Sequence, residues 1–238
     1  MGGMIKMSSS IKENLDNVYE KVKINCKEVN REPKDVKLVA VAKNHPPKRI
    51  IRALKAGQIT FGENRVQELL EKNELFFDQD IKWHFIGHLQ KNKVKYLMKI
   101  KQLEMIESID SLEIAQEVNN EAYKNNKTIK VLLQVNIAKD SKKYGFTEES
   151  LQDALKTINE FKNIDVKGLM TITPYKNNPE DVRKYYKDMK ILLDKLNKKG
   201  YELEELSMGM SNDYHIAVQE GATIIRVGTA IFGQRNYY

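Results

Sequence analysis

Lys37-Leu38-Val39-Ala40-Val41-Ala42-Lys43, followed by Asn44-His45-Pro46-Pro47 and closed off at Gly57, is the stretch that decides the fold. The run Lys37–Ala42 is apolar at consecutive positions, as a strand covered on both faces is. Pro46 and Pro47 then open a helix, and Gly57 ends it. This strand–helix unit recurs along the chain. Further strand candidates are Gln58–Phe61, Lys82–Ile86, Glu104–Ser108, Lys130–Asn136, Asp165–Thr171, Glu204–Met208 and Thr223–Val227, making eight in all. Helical patterns fall between them. Asp110 and Glu113 have the spacing of a capping box before Ile114–Lys124, and Thr147 caps a helix running to Phe161. Asn178-Pro179-Glu180-Asp181 combines a cap, a proline at the first helical position and two first-turn acids, and Gly200 ends the helix that follows. Ser211 caps a short helix ended by Gly221.

Strand–helix alternation implies parallel pairing with right-handed crossovers, and eight repeats close a (β/α)8 TIM barrel. An open doubly wound sheet is the alternative, but no G-x-G-x-x-G turn follows the first strand. A helix over about 11–30 precedes the barrel, on the apolar stripe Ile11, Leu15, Val18, Val22, Cys26, Val29. The barrel takes about 37–238, so 1–238 is expected to be a single domain.

The chain has 238 residues, 41% hydrophobic and 31% charged, which places it among globular proteins. No apolar run approaches the ~20 residues of a membrane helix, and Met1–Ser10 lacks a signal-peptide core. A cytoplasmic location is expected. The lone cysteine, Cys26, excludes an internal disulfide and reads as a small buried hydrophobe. The net charge of +7 raises nucleic acid as a partner. The lysines, however, are interleaved with acids and lack clustered aromatics, so no nucleic-acid partner and no membrane are expected. The charged helix exteriors favour a monomer.

In such a barrel chemistry collects where strands end. The first strand ends at Lys43, whose amine at the rim can attack an aldehyde if partly desolvated; the plain alternative is a solvated loop lysine. The third strand carries His84 between two aromatics, which by itself reads as a packed core histidine, and His88 follows on a loop. The last two strands end in Leu206-Ser207-Met208-Gly209-Met210-Ser211 and Arg226-Val227-Gly228-Thr229-Ala230. These loops are where many barrels seat a phosphate on backbone N–H groups. Gly228 and Thr229 permit close approach, and Ser207 or Ser211 can donate a hydroxyl; a tight turn is the alternative. A guanidinium on the last strand, Arg226, needs an acceptor.

The runs Leu38-Val39-Ala40-Val41-Ala42-Lys43, Phe61-Gly62-Glu63-Asn64, Val66-Gln67-Glu68, Trp83-His84-Phe85-Ile86-Gly87, Gly168-Leu169-Met170-Thr171, Leu206–Ser211 and Arg226–Gly233 resemble the pyridoxal phosphate homeostasis protein family, in order and from about Lys37 to Tyr238. The resemblance implies a barrel like the N-terminal domain of alanine racemase, with pyridoxal 5′-phosphate (PLP) as cofactor. It implies Lys43 as the residue that forms an internal aldimine, a Schiff base with the PLP aldehyde. It implies Gly228 and Thr229 with Ser207 and Ser211 around the phosphate, and Arg226 facing the pyridine nitrogen. Asn64 and His84 are implied near the cofactor. Arg65 departs from the usual Tyr, and His88 from a common Pro.

The family is associated with PLP homeostasis rather than with a settled catalytic activity, and apo-enzymes that require PLP are candidate recipients. A PLP-dependent amino-acid racemase is the alternative. Two-base racemisation needs an acid/base group on each face of the substrate, and in alanine racemase the second comes from another domain, for which this chain is expected to have no residues. A Schiff-base aldolase acting on a phosphosugar also fits a rim lysine beside a phosphate site, but leaves Arg226 unexplained.

Overall fold

The computed structural model describes residues 10–234. Eight parallel strands close in sequence order, β1 beside β2 and onward until β8 returns to β1. In chain order the elements are α1 (Ile11–Glu28), β1 (Lys37–Val41), α2 (Pro47–Lys55), β2 (Thr60–Glu63), α3 (Val66–Leu75), β3 (Lys82–Phe85), α4 (Val94–Leu97), β4 (Leu103–Ile109), α5 (Leu112–Lys124), β5 (Ile129–Gln134), α6 (Glu148–Ile158), β6 (Ile164–Met170), α7 (Arg183–Asn197), β7 (Glu205–Ser207), α8 (Tyr214–Gln219), β8 (Ile224–Val227) and α9 (Thr229–Phe232). The expected (β/α)8 barrel with an extra N-terminal helix is the observed architecture. Most of the reading of Met1–Ser10, and the last four positions of the expected barrel, lie outside the described residues. No described helix is long and apolar enough to cross a membrane.

Two apolar cores share the strands. The larger lies between barrel and helices and includes Leu38, Phe61, Trp83 and Ile106. The smaller, formed by Val39, Met105, Leu132, Met170 and Ile224, fills part of the barrel interior. Alternation along each strand sends neighbours to opposite faces, so Leu38 packs outward while Val39 packs inward. Helix α1 is capped by Ser10 and Glu13 in a reciprocal box and buries Leu15, Val18, Val22 and Cys26. Each such side chain contributes roughly 1.5–3 kcal/mol. Polar bonds fix where α1 sits: Asn14 Nδ2 donates to Ile231 O at 2.8 Å, and Arg31 donates to Val218 O and Ala222 O. The first helix thus braces the last two strand–helix units, which carry the candidate phosphate loops.

Some local expectations are corrected. Strand β2 runs two residues later than Gln58–Phe61, because Gln58 N donates to Ala53 O and stays with the end of α2. The amide of Gln58 is also occupied, donating to Leu38 O and Thr60 O. Asp110 and Glu113 form no capping box: Ser111 caps α5 by accepting from Ile114 N, while Asp110 Oδ2 meets His88 Nδ1 at 2.8 Å. Ser211 does not cap α8; Asp213 occupies that cap position, and Ser211 turns to β8 instead. The helix capped by Thr147 ends at Ile158, short of Phe161.

Gly168 shows how tightly β6 and β7 are joined, since a Cβ there would lie 1.8 Å from Glu205 O. A backbone oxygen cannot step aside as a side chain can, so Gly168→Ala is expected to cost at least about 2 kcal/mol. Urea unfolding of the two proteins measures it; an unchanged midpoint would show that the two strands are not so close.

Candidate functional site

Strand β1 pairs with β8 over four residues, Lys37–Ala40 opposite Ile224–Val227. Barrel closure therefore brings the end of the first unit against the end of the last. Ala42 O accepts from His45 N at 3.0 Å, closing a four-residue turn with Lys43 as its second residue. Asn44, the third, has φ 60°, a conformation that Asn adopts more readily than most residues. On the neighbouring strand the chain leaves β8 through Gly228 into α9.

Lys43, Ser211, Arg226, Gly228 and Thr229 all line one cavity of about 680 Å³ at this end of the barrel, together with Val41, His45, Ile86, Ile172, Tyr175 and Met210. The loop after β8 presents convergent donors: Gly228 N and Ala230 N both donate to Ser211 Oγ, at 3.1 and 3.2 Å. A hydroxyl that accepts two such bonds still has its own proton to donate. A Cβ on Gly228 would sit 3.3 Å from Val41 O and 3.4 Å from Val41 Cβ, so the bare α-carbon lets the end of β8 lie close against β1. Backbone amides that converge on one oxygen, and a hydroxyl, at the end of β8 make an anion-receptive corner of the cavity, with the Lys43 turn on the adjoining strand.

Arg226 lies between this cavity and the barrel interior and is only 4% exposed. Its Nη2 donates to Thr171 O at 2.7 Å and its Nη1 to Ser207 Oγ at 2.5 Å. The Ser207 hydroxyl donates to Glu107 Oε2 at 2.6 Å, and Glu107 Oε1 is 2.5 Å from His84 Nδ1. The other nitrogen of His84 is 3.5 Å from Glu104 Oε2. A column of alternating charge thus runs through the barrel: Arg226, Glu107, His84, Glu104. Burial alone would raise the Glu107 carboxyl, but His84, the Arg226 charge and the Ser207 hydroxyl outweigh it and hold it below the usual range. Burial opposes the charge on His84, yet the carboxylates at both nitrogens outweigh it and raise its pKa, which favours the imidazolium. Glu104, beside that ring and near Lys82 and Lys37, is brought down to about 2.

The sequence-predicted residues therefore separate into groups. Five share the cavity: Lys43, Ser211, Arg226, Gly228 and Thr229. Ser207 and His84, both fully buried, stand behind Arg226 rather than on the cavity wall. Asn64 lines a separate cleft with Arg65, Gln67, His88 and Lys93. Glu107 escaped sequence reasoning, although it is the acceptor at the centre of the column. Its signal was a carboxylate, beside Ser108, inside the strand run Met105-Ile106-Glu107-Ser108-Ile109. Ile172 and Tyr175 were also missed, because they follow β6 in a segment without a recognisable motif.

A barrel with a rim lysine, a buried arginine and an anion-receptive loop after the last strand belongs to the alanine racemase N-terminal class, and residues 15–236 match the family model described as "Alanine racemase, N-terminal domain". The chain is 43% identical to the pyridoxal phosphate homeostasis protein of Aquifex aeolicus (94% of this chain, 98% of that one) and 39% identical to the one from Homo sapiens (88% and 82%). It belongs to the pyridoxal phosphate homeostasis protein family. The structure of PipY from Synechococcus elongatus PCC7942, solved with PLP bound, superimposes with a TM-score of 0.83 at 33% identity, covering 94% of this chain and all of that one. The alanine racemase of Clostridium difficile 630 shares the fold at 19% identity, with a TM-score of 0.72; the match covers 94% of this chain and 56% of that one.

Two outcomes test the column. Glu107→Ala leaves Arg226 and His84 buried without their shared counter-charge, and should cost about 3–5 kcal/mol in urea unfolding. The Glu104 carboxylate, depressed in the folded state, stabilises fully above its ordinary pKa of 4.5, and this contribution fades as pH falls toward about 2. Stability measured between pH 6 and pH 3 should therefore fall less steeply in Glu104→Gln than in the parent. Parallel profiles would remove Glu104 from the column.

Proposed function

We propose that this chain binds PLP in the cavity at the C-terminal end of the barrel and serves PLP homeostasis as a holder of the cofactor. The observation that carries the reading is the convergence of Lys43, Arg226 and the Gly228–Ala230 loop on one cavity. Membership of a family whose proteins bear that name, and the PLP-bound state of PipY, support it.

The residues present suit the group. Gly228, Thr229 and Ser211 would take the phosphate, which would replace Ser211 Oγ as the acceptor of the loop's backbone N–H groups and accept the Ser211 hydroxyl proton. Arg226 would meet the ring nitrogen with a donor that stays charged, held by Thr171 O and Ser207. Lys43 would hold the aldehyde end. Ser207 and His84 would act through Arg226, and Asn64, in its separate cleft, takes no part in this reading. Bound PLP supplies an aldehyde that condenses with amines and a ring that withdraws electrons when its nitrogen is protonated. A permanently charged guanidinium at that nitrogen opposes its protonation, so turnover of amino acids is expected to be slow. Within the same reading the chain forms one barrel domain, works as a cytoplasmic monomer and passes PLP to apo-enzymes that require it.

Purified protein mixed with PLP should absorb visible light. Borohydride should fix a pyridoxyl group on the peptide containing Lys43, as read by mass spectrometry. Lys43→Ala should lose the colour but keep weaker binding that dialysis removes. An adduct on another lysine, with Lys43 unmodified, would overturn the assignment. Gly228→Asp places a carboxylate against the phosphate and should weaken binding at least about tenfold, or 1.4 kcal/mol. An unchanged affinity would move the phosphate elsewhere. Racemisation of common amino acids should fall below about one turnover per second, given that a missing opposing base costs ~10²–10⁴-fold. Faster turnover would favour the racemase reading.

A further inference from the structure

Outside the cavity, on the far side of the Lys43 turn, lies a second buried polar cluster. Lys72, on α3, is 5% exposed, and its ammonium makes three hydrogen bonds. It donates to Glu63 Oε1 at 2.6 Å, to Glu68 Oε1 at 2.7 Å, and to the backbone oxygen of Ala42 at 2.8 Å. Ala42 immediately precedes Lys43. Glu68 Oε1 accepts in turn from the backbone N–H of Asn44 at 2.6 Å, and Asn44 immediately follows Lys43. The cluster thus grips the main chain on both sides of one residue. It grips it where the backbone is least tolerant, since Asn44 sits at φ 60° and Ala42 O also closes the turn to His45.

An apolar residue at position 72 would pack the outside of a barrel at lower cost than a lysine with two carboxylates. Glu63 is fully buried, and its second oxygen has no hydrogen-bond partner among the described residues. Burial pushes this carboxyl up to about 7 against the pull of Lys72. Three ionisable groups are therefore held in a costly arrangement whose contacts with the main chain fall at Ala42 and Asn44.

We propose that Lys72 and Glu68 are positioning residues for Lys43: they clamp the turn Ala42–His45 so that the Lys43 amine is presented to the cavity in one orientation, with Glu63 anchoring the Lys72 ammonium. This rests on the reading of Lys43 as the residue that holds the PLP aldehyde. The clamp's hydrogen bonds fall on the backbone either side of Lys43, while the Lys43 side chain lines the cavity and its charge also acts on Glu63. An amine tethered by four rotatable bonds gains from a fixed starting point, because misplacement of a reacting group by about 1 Å can cost on the order of 10²-fold in rate.

Three variants test it. Glu68→Ala removes the acceptor from Asn44 N; Glu68 is partly exposed, so the fold should survive. Glu68→Gln keeps an acceptor oxygen at the same reach. Lys72→Met removes the ammonium, and its melting temperature is measured alongside because Glu63 is then left buried without a partner. The first readout uses PLP-free protein: the rate of acetylation of Lys43 by acetic anhydride, relative to the exposed Lys156 and Lys23 in the same sample, followed by mass spectrometry. The second is the rate at which visible absorbance appears on mixing with PLP.

Glu68→Ala should change the relative acetylation of Lys43 by at least threefold and slow the appearance of colour about tenfold, and Glu68→Gln should restore colour formation to within about threefold of the parent. Lys72→Met should slow colour formation at least as much as Glu68→Ala. A Glu68→Ala protein that matches the parent in both readouts would overturn the proposal. So would a Gln variant no better than Ala, or a loss of melting temperature with Lys43 reactivity unmoved. If the parent itself forms no colour through Lys43, the PLP reading fails, and the acetylation result still decides whether the clamp sets the Lys43 amine.

Discussion

A guanidinium that is 4% exposed inside a barrel is the constraint on which the rest of this structure depends. Removing such a charge from water costs several kcal/mol unless hydrogen bonds and opposite charge replace the solvent. Thr171 O and Ser207 Oγ supply the bonds. Glu107 supplies the charge, 3.9 Å away and bridged by the serine hydroxyl. Glu107 is itself fully buried and calls for a donor at its other oxygen, which His84 provides. The other ring nitrogen of His84 faces a second carboxylate, Glu104, which lies toward the N-terminal end of the barrel, where Lys82 and Lys130 approach it at 4.0 and 3.9 Å. One buried cation at the cavity thus dictates polar residues on β3, β4, β7 and β8, with the apolar interior restricted to the small cluster around Val39 and Met170.

The barrel was legible in the sequence because its strands are short apolar runs separated by helices with strong punctuation, such as Pro46-Pro47, Asn178-Pro179 and Gly200. Lys43, Arg226 and Gly228 drew notice because they fall at strand ends; a solvated lysine and a tight turn accounted for two of them equally well, and the family resemblance decided between the readings. The column was not legible as a column. His84 between Trp83 and Phe85 reads as core, and Glu107 beside Ser108 reads as the polar half of an alternating strand. Their partnership is set by strand stagger, through the shift in β3–β4 register between Trp83 and His84, and local spacing carries no trace of that. Ser211 illustrates the same limit. A serine before a helix has the look of a cap, and only the neighbouring β8 loop shows why its oxygen points elsewhere.

Barrel closure also explains why the cavity lies where it does. β7 has three residues, and its register with β8 comes down to one residue pair, Ser207 with Ile224. Side chains supplement the backbone along this seam. Thr223 Oγ1 accepts from Leu206 N and donates to Glu205 Oε2; Arg226 reaches Ser207; Ser211 accepts from Gly228 N and Ala230 N. From one end of the seam to the other, the cross-strand role passes from a threonine to an arginine to a serine. The last two are also the residues that face the cavity. Groups that close the barrel are therefore the groups that would receive an anionic ligand, so seam integrity and ligand affinity are coupled through shared atoms. On the other side of β8, the four-residue pairing with β1 is the more regular junction, and the Lys43 turn hangs from it. The Ser211–Gly228 contact thus lies beside the junction with the fewest paired residues, and the Lys43 turn follows one with four.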